Sequence, residues 1–118
     1  MEMNKRHVGK EYEQKACEYL IQHGYEILER NFYCKAGEID IVAKHQEYLV
    51  FVEVKYRKNS RKGDPLEAIS VQKQRTISKC ALYYMKKHGL QYMPVRFDVV
   101  GILGEQVQLI QNAFDFVI

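Results

Sequence analysis

The stretch GEIDIVAKHQEYLVFVEVK, residues 37–55, constrains the fold of this chain more than any other segment. Its two runs of Ile, Val and Phe are typical of β-strands, and a turn at Gln46 and Glu47 would join them as a hairpin. In that register one side of the hairpin is wholly apolar. The opposed residues on this side are Ile39–Val54, Ile41–Val52 and Ala43–Val50. A slip of one residue would mix apolar and charged side chains, so we expect this register.

The second side of the hairpin carries charges that a strand does not need. In the same register Asp40 lies opposite Glu53 and Glu38 lies opposite Lys55, with Cβ atoms roughly 5 Å apart. Two facing carboxylates destabilise a sheet unless positive charge lies between them. A divalent cation that prefers oxygen ligands would supply this charge and could activate a phosphodiester for hydrolysis. The alternative interpretation is a plain Glu38–Lys55 ion pair with the other two acids facing solvent.

The flanking segments predict an α/β domain. Apolar residues at helical spacing predict a helix over about 9–23, ended by Gly24, and another that opens at the N-cap Ser70 and ends before Gly89. Asp64, followed by Pro65, is a further candidate N-cap. The predicted strands are YEILERNFY, 38–44, 48–56, VRFDVVGIL and QVQLIQNAF. This order predicts one domain over residues 1–118, with a mixed central sheet covered by helices.

Positive charge is concentrated in the middle of the chain. Residues 55–88 carry ten basic and two acidic side chains, a balance of +8, whereas the whole chain carries +3. Such a cluster favours a phosphate backbone as partner, with a merely solvated loop as the alternative. The candidate nucleic-acid-binding residues are Arg57, Lys58, Arg61, Lys62, Lys73 and Arg75.

Composition argues against other classes of site and location. The three cysteines, Cys17, Cys34 and Cys80, are widely spaced, so we expect reduced thiols and no zinc site. The chain contains no long apolar run and no secretory signal pattern, which predicts a cytoplasmic protein without membrane contact. Asp98 lies two residues from Arg96 on a predicted strand, and this favours an ion pair or a strand-edge position over a catalytic role.

Asp40, twelve intervening residues and then Glu53-Val54-Lys55 resemble the D…E-x-K core of the restriction-endonuclease-like (PD-(D/E)xK) nuclease superfamily. Ile39 stands where the superfamily name expects proline. With GEIDIVA, FVEVKYR, EAISVQKQRTI and RFDVVGI, the chain is similar to the YraN-like family of small bacterial proteins from Gly9 to about Phe114. The resemblance implies a restriction-endonuclease-like three-layer α/β/α fold.

The resemblance also implies a role for individual residues. Asp40 and Glu53 would bind Mg²⁺ or Mn²⁺ with the backbone carbonyl of Val54, and Lys55 would be the catalytic lysine. Glu13 matches a first-helix glutamate that turns toward the metal in related junction-resolving nucleases. The supporting candidates are Glu38, Gln72 and Gln74.

Three functions remain open from the sequence. The first is a metal-dependent endonuclease acting on DNA, with branched or flapped DNA as candidate substrates and a homodimer as one candidate arrangement. The second is a non-catalytic nucleic-acid-binding or adaptor module that keeps the nuclease fold. The third is an RNA-directed enzyme on the same scaffold.

Overall fold

The structure, a computed structural model, describes residues 5–59, 61 and 69–117. Within these residues, two helices and five strands follow one another in the predicted order. They are α1 (Lys5–Gln22), β1 (Glu26–Cys34), β2 (Gly37–His45), β3 (Tyr48–Arg57), α2 (Val71–His88), β4 (Val95–Leu103) and β5 (Gln106–Phe114). The N-cap predicted at Asp64 lies outside the described residues.

The five strands form one sheet in the order β1-β2-β3-β4-β5. β3 and β4 are parallel and the other neighbours are antiparallel, which confirms a mixed sheet. The pairs Ile41–Val52, Val42–Phe51 and Ala43–Val50 confirm the hairpin register that alternation predicted. Both strands of this hairpin lie inside the sheet, with β1 on one side and β4 on the other.

Each helix packs on a different face of the sheet. On one face Ala16 and Leu20 of α1 pack against Ile41 and Val50. On the other face α2 packs against a cluster that contains Phe51, through the predicted buried side Ile77, Ala81, Tyr84 and Met85. The chain is thus a three-layer α/β/α protein, compatible with the restriction-endonuclease-like arrangement that the resemblance implied.

Ile39 differs from the expected alternation. It packs under α2 with Phe32 and Phe51, whereas Ile41 packs under α1. On the adjacent strand β1, Asn31 has a left-handed backbone, with φ of 54°. The side chains of Ile39 and Ile41 pack on opposite faces of the sheet, on either side of Asp40.

The ends of α2 follow the predicted signals. The Ser70 side chain accepts a hydrogen bond from the Lys73 N–H at 3.1 Å, as an N-cap does. Gly89 closes the helix in the left-handed region, with φ 65° and ψ 34°. Neither described helix is long and apolar enough to cross a membrane.

Candidate functional site

Asp40 lies where the β2–β3 ladder ends. The last backbone pair of this ladder on the Asp40 side is Ile41–Val52. One step further along, the Val54 N–H donates to Asp40 Oδ2 at 2.8 Å. The side chain of Asp40 therefore takes the place of a backbone partner, and the predicted direct opposition of Asp40 and Glu53 within a regular ladder gives way to an opened strand end.

Glu53 faces the same region from β3. Its side chain is only 12% exposed, and its Oε1 lies 3.9 Å from the Nζ of Lys73 on α2. Burial raises the pKa of Glu53 to about 7, and the negative charge of Asp40 adds to this rise. Lys73 and Lys55 oppose the rise without cancelling it. The negative charge of ionised Glu53 is thus only partly compensated by the nearby lysines.

The pKa of Asp40 is raised as well. Burial raises its pKa to about 6, while the Val54 N–H opposes the rise and the charge of Glu13 adds to it. We call Asp40 and Glu53 the acid pair, because each is partly buried and the charge of Asp40 raises the pKa of Glu53. Carboxyl groups with raised pKa values are concentrated at functional sites, which makes the acid pair the candidate site of this protein.

Glu13 reaches this region from α1 but has its own partners. Its Oε2 accepts a hydrogen bond from Asn31 Nδ2 at 3.0 Å and lies 3.9 Å from Arg30 Nη2. An open groove of about 470 Å³ runs beside it, lined by Gly9, Lys10, Glu13, Asn31, Tyr33 and Glu38. Glu13 therefore sits at the wall of a groove next to the acid pair.

The left-handed Asn31 places its amide against Glu13, a contact that sequence reasoning missed. The available signal was an asparagine within a strand, since Asn adopts this conformation more readily than most residues.

The remaining candidates near the acid pair have different surroundings. Lys55 is half-buried and lowers the pKa of Glu53 through its charge. Glu38 forms no ion pair with Lys55 in the described part of the chain. Glu38 pairs with Tyr33 across the strands, and its charge raises the pKa of that tyrosine. The Glu38–Lys55 ion pair that was the alternative interpretation is thus not formed.

Lys73 was predicted as a nucleic-acid-binding residue, and the structure places it against Glu53 instead of in open solvent. Gln74 donates to the backbone carbonyl of Ile69 at 2.8 Å, and Gln72 is exposed. Arg57 donates to the carbonyl of Tyr56. The exposed basic candidates are Lys58, Arg61 and Arg75, and Lys62 lies outside the described residues.

A divalent cation fits the chemistry of the acid pair. Two partly buried carboxyl groups with raised pKa values lack a full countercharge, and hard cations bind such oxygen donors with water and phosphate as further ligands. Among the described residues, however, no group of three or more His, Cys, Asp or Glu side chains is arranged to hold a metal ion. The structure brings Asp40 and Glu53 together, whereas Glu13 remains with Asn31.

Asp98 is fully buried in a separate polar network. It accepts hydrogen bonds from Arg96 and from the Tyr25 hydroxyl, the latter at 2.6 Å, and from the Asn112 N–H. This confirms the predicted Arg96–Asp98 ion pair, with N–O distance 2.9 Å. Arg96 also contacts His45, so the network lies toward the β2–β3 turn, away from the acid pair.

Fold and site together define a small three-layer α/β protein with paired acids at the opened end of its central hairpin. The chain belongs to Uncharacterised protein family UPF0102, whose family model matches residues 12–102. This is the YraN-like family that the motifs indicated, so the resemblance is confirmed.

Relatives match nearly the whole chain. A UPF0102 protein of Lachnoclostridium phytofermentans is 54% identical over 114 residues, covering 96% of this chain and 97% of its own length. A UPF0102 protein of Caldicellulosiruptor saccharolyticus is 45% identical over 118 residues, covering 95% of this chain and 100% of its own length. The family therefore spans the acid pair as well as both helices.

Proposed function

We propose that this protein is a metal-dependent endonuclease that hydrolyses DNA phosphodiester bonds, with branched or flapped DNA as candidate substrates. The observation that supports it is the acid pair: burial raises the pKa of both carboxyl groups, and the charge of Asp40 further raises the pKa of Glu53, next to Lys73 and Lys55. Structural acids on a sheet are normally compensated or solvated, so a partly buried pair with incomplete charge compensation favours a role in binding a cation.

In this proposal Asp40 and Glu53 hold Mg²⁺ or Mn²⁺, with the Val54 carbonyl as a further oxygen donor. The ion would supply charge stabilisation at the attacked phosphate and a more acidic bound water. The Val54 N–H fixes the Asp40 carboxylate at 2.8 Å, so one oxygen is oriented before any ligand binds. Lys55 orients the attacking water or stabilises negative charge on the phosphoryl oxygens.

The basic residues around the site have a supporting role in this proposal. Exposed Lys58, Arg61 and Arg75 would contact the phosphate backbone, a contact that fixes position and carries no sequence information. Lys73 neutralises part of the charge of Glu53 until a cation binds. Glu13 and Asn31 would form the wall along which the substrate strand enters.

The test is a cleavage assay on end-labelled single-stranded, duplex, flapped and four-way-junction DNA, with Mn²⁺, Mg²⁺ or EDTA. The variants are Asp40→Asn and Lys55→Ala, and Glu47→Gln in the exposed β2–β3 turn is the matched control. We expect wild type and control to cut in the presence of metal, and both site variants to lose cutting by at least about 100-fold. Equal cutting by all four proteins, or none by wild type, would contradict the proposal on these substrates.

A second candidate is a nucleic-acid-binding or adaptor module without hydrolysis. The absence of a three-acid group among the described residues favours it, because two carboxylates bind a cation less firmly than three. This module would bind DNA in EDTA, and Asp40→Asn would leave that binding intact. A matched RNA substrate in the same assay separates an RNA-directed enzyme from both.

A further inference from the structure

Cys34 and Cys80 form a close thiol pair on the α2 side of the sheet. Cys34 is the last residue of β1, and Cys80 lies in α2, 46 positions further along the chain. Their Sγ atoms are 3.1 Å apart. This separation is only about 1 Å longer than the roughly 2.05 Å of a disulfide bond, so a small movement would join them.

The backbone around the pair is already in contact. Gly37 pairs with Cys34 across the β1–β2 turn, with φ of 150°. A Cβ atom at Gly37 would lie 2.8 Å from the Thr76 side chain and 3.9 Å from Cys80 Sγ. The β1–β2 turn therefore packs directly against α2. A bond between the two sulfurs would join elements that are already in contact.

The two thiols differ in access. Cys80 is fully buried, and burial raises its pKa to about 12, whereas Cys34 is half-buried. An oxidant from solvent therefore meets Cys34 first. The third cysteine, Cys17, lies in the cluster under α1 on the opposite face of the sheet and is too far to take part.

We propose that Cys34 and Cys80 are an oxidative modification site at which a hydroperoxide forms an intramolecular disulfide between β1 and α2. The Cys34 sulfur attacks the O–O bond and becomes a sulfenic acid, while the peroxide leaves as water or an alcohol. The Cys80 sulfur then attacks the Cys34 sulfur, the S–OH bond breaks, and water leaves with the Cys80 proton. Two thiols lose two electrons, which the peroxide accepts.

The disulfide would fasten the turn that leads into β2 and Asp40 to the helix that carries Lys73. Its formation depends only on the two thiols and an oxidant, so it is independent of the proposed nuclease function. A thiol reductant would reverse it by attack at the sulfur of Cys34, the half-buried partner. All three cysteines are free in the structure, which is the reduced state of this site.

The test is peroxide treatment of the reduced full-length protein, followed by denaturation, alkylation with N-ethylmaleimide and intact-mass measurement. We expect three adducts before treatment and one after it, because Cys17 alone stays reactive among the three cysteines. A tryptic digest without reductant should contain NFYCK joined to CALYYMK, and dithiothreitol should separate them. The oxidised protein should melt higher by roughly 5 °C or more.

The matched variants are Cys34→Ser, which should keep its remaining thiols alkylatable, and Cys17→Ser, which should still form the bond. The wild-type peptide map tests the site even if a variant folds poorly. Three adducts after treatment, a bond that involves Cys17, a bond between two chains, or oxidation of Cys34 beyond the sulfenic acid would each overturn the proposal.

Discussion

At the scale of single residues, the acid pair combines two carboxyl groups that ordinary packing would separate. Glu53 is 12% exposed and has Lys73 at 3.9 Å, a distance at which an ion pair contributes little. Asp40 is held by one backbone N–H. These contacts position the two groups but compensate their charge only in part, so the metal-free protein carries electrostatic strain at neutral pH.

This strain predicts a pH dependence of stability in the metal-free protein. The pKa values of Asp40 and Glu53 rise to about 6 and about 7, above the roughly 4 of an unfolded chain. Between a pH of about 4 and a pH of about 7, these two carboxyl groups hold protons in the folded state that they have released in the unfolded state. The free energy of unfolding should therefore fall as the pH rises from about 4 to about 7 and stay level above.

Asp40→Asn should relieve the strain while keeping an oxygen for the Val54 N–H. We expect the variant to be more stable than wild type by about 1–3 kcal/mol at pH 8, and the difference to shrink toward pH 4. Urea denaturation in EDTA at several pH values measures this, with Glu47→Gln as the control. A variant less stable than wild type at pH 8 would contradict the assigned burial of Asp40.

In contrast to the acid pair, the charge of Asp98 is fully compensated. It accepts hydrogen bonds from Arg96, Tyr25 and Asn112 while wholly buried. Asp98→Ala would leave the Arg96 guanidinium without its partner, at a cost of about 3–5 kcal/mol. Thermal unfolding measures this loss. The exposed Asp115→Ala serves as control, and a similar loss in both variants would mean that the network is not the cause.

At the scale of elements, α2 links the core to the acid pair. Its middle packs on Phe51 and Phe97, while its first turn brings Lys73 to Glu53. Ser70 fixes that turn, because its hydroxyl accepts the N–H of the same Lys73. The first turn of α2 thus sets the position of Lys73 relative to Glu53, and with it the positive charge next to the acid pair.

Ser70→Ala should cost about 1 kcal/mol of stability, because one N–H of the first turn loses its acceptor. Ser70→Asp retains an acceptor and should cost less than half of this. Urea denaturation midpoints of the three proteins give the comparison. If both variants lose the same stability, the cap is not the source of the effect.

Much of this architecture follows from local patterns. The alternation in β2 and β3 predicts their register, and the parity of Asp40 and Glu53 predicts that two acids meet there. The partner of Glu53 could not be predicted, because Lys73 is twenty residues away and its position depends on how α2 crosses the sheet. The face occupied by Ile39 and the Glu13–Asn31 contact could not be predicted either, since regular alternation places Ile39 on the face of Ile41 and the contact joins residues of α1 and β1.

At the scale of the whole molecule, charge is unevenly divided along the chain. Residues 55–88 carry ten basic and two acidic side chains, and α2 itself ends with Lys86, Lys87 and His88. Its first turn contains no acid. If nucleic acid is the partner, the electrostatic part of its binding should come from residues 55–88.

The salt dependence of DNA binding tests this division. The slope of log K against log salt is negative. Lys58→Gln and Arg75→Gln should each make it less steep by roughly 0.9 for every phosphate that the substituted side chain no longer neutralises. Lys44→Gln, an exposed lysine near the β2–β3 turn, should leave the slope unchanged. Fluorescence anisotropy with a labelled duplex in EDTA gives the slopes. An equal decrease for all three variants would indicate binding through net charge alone.

The parallel pairing of β3 and β4 also implies an order of folding. β1, β2 and β3 are joined by two-residue turns, whereas β4 reaches β3 only after the whole of α2. Local pairings close faster than pairings between distant segments. In pulse-labelling hydrogen exchange we therefore expect the amide of Val54, bonded to Asp40, to gain protection before that of Asn112, bonded to Asp98. The acid pair would then be assembled before the Asp98 network makes it rigid.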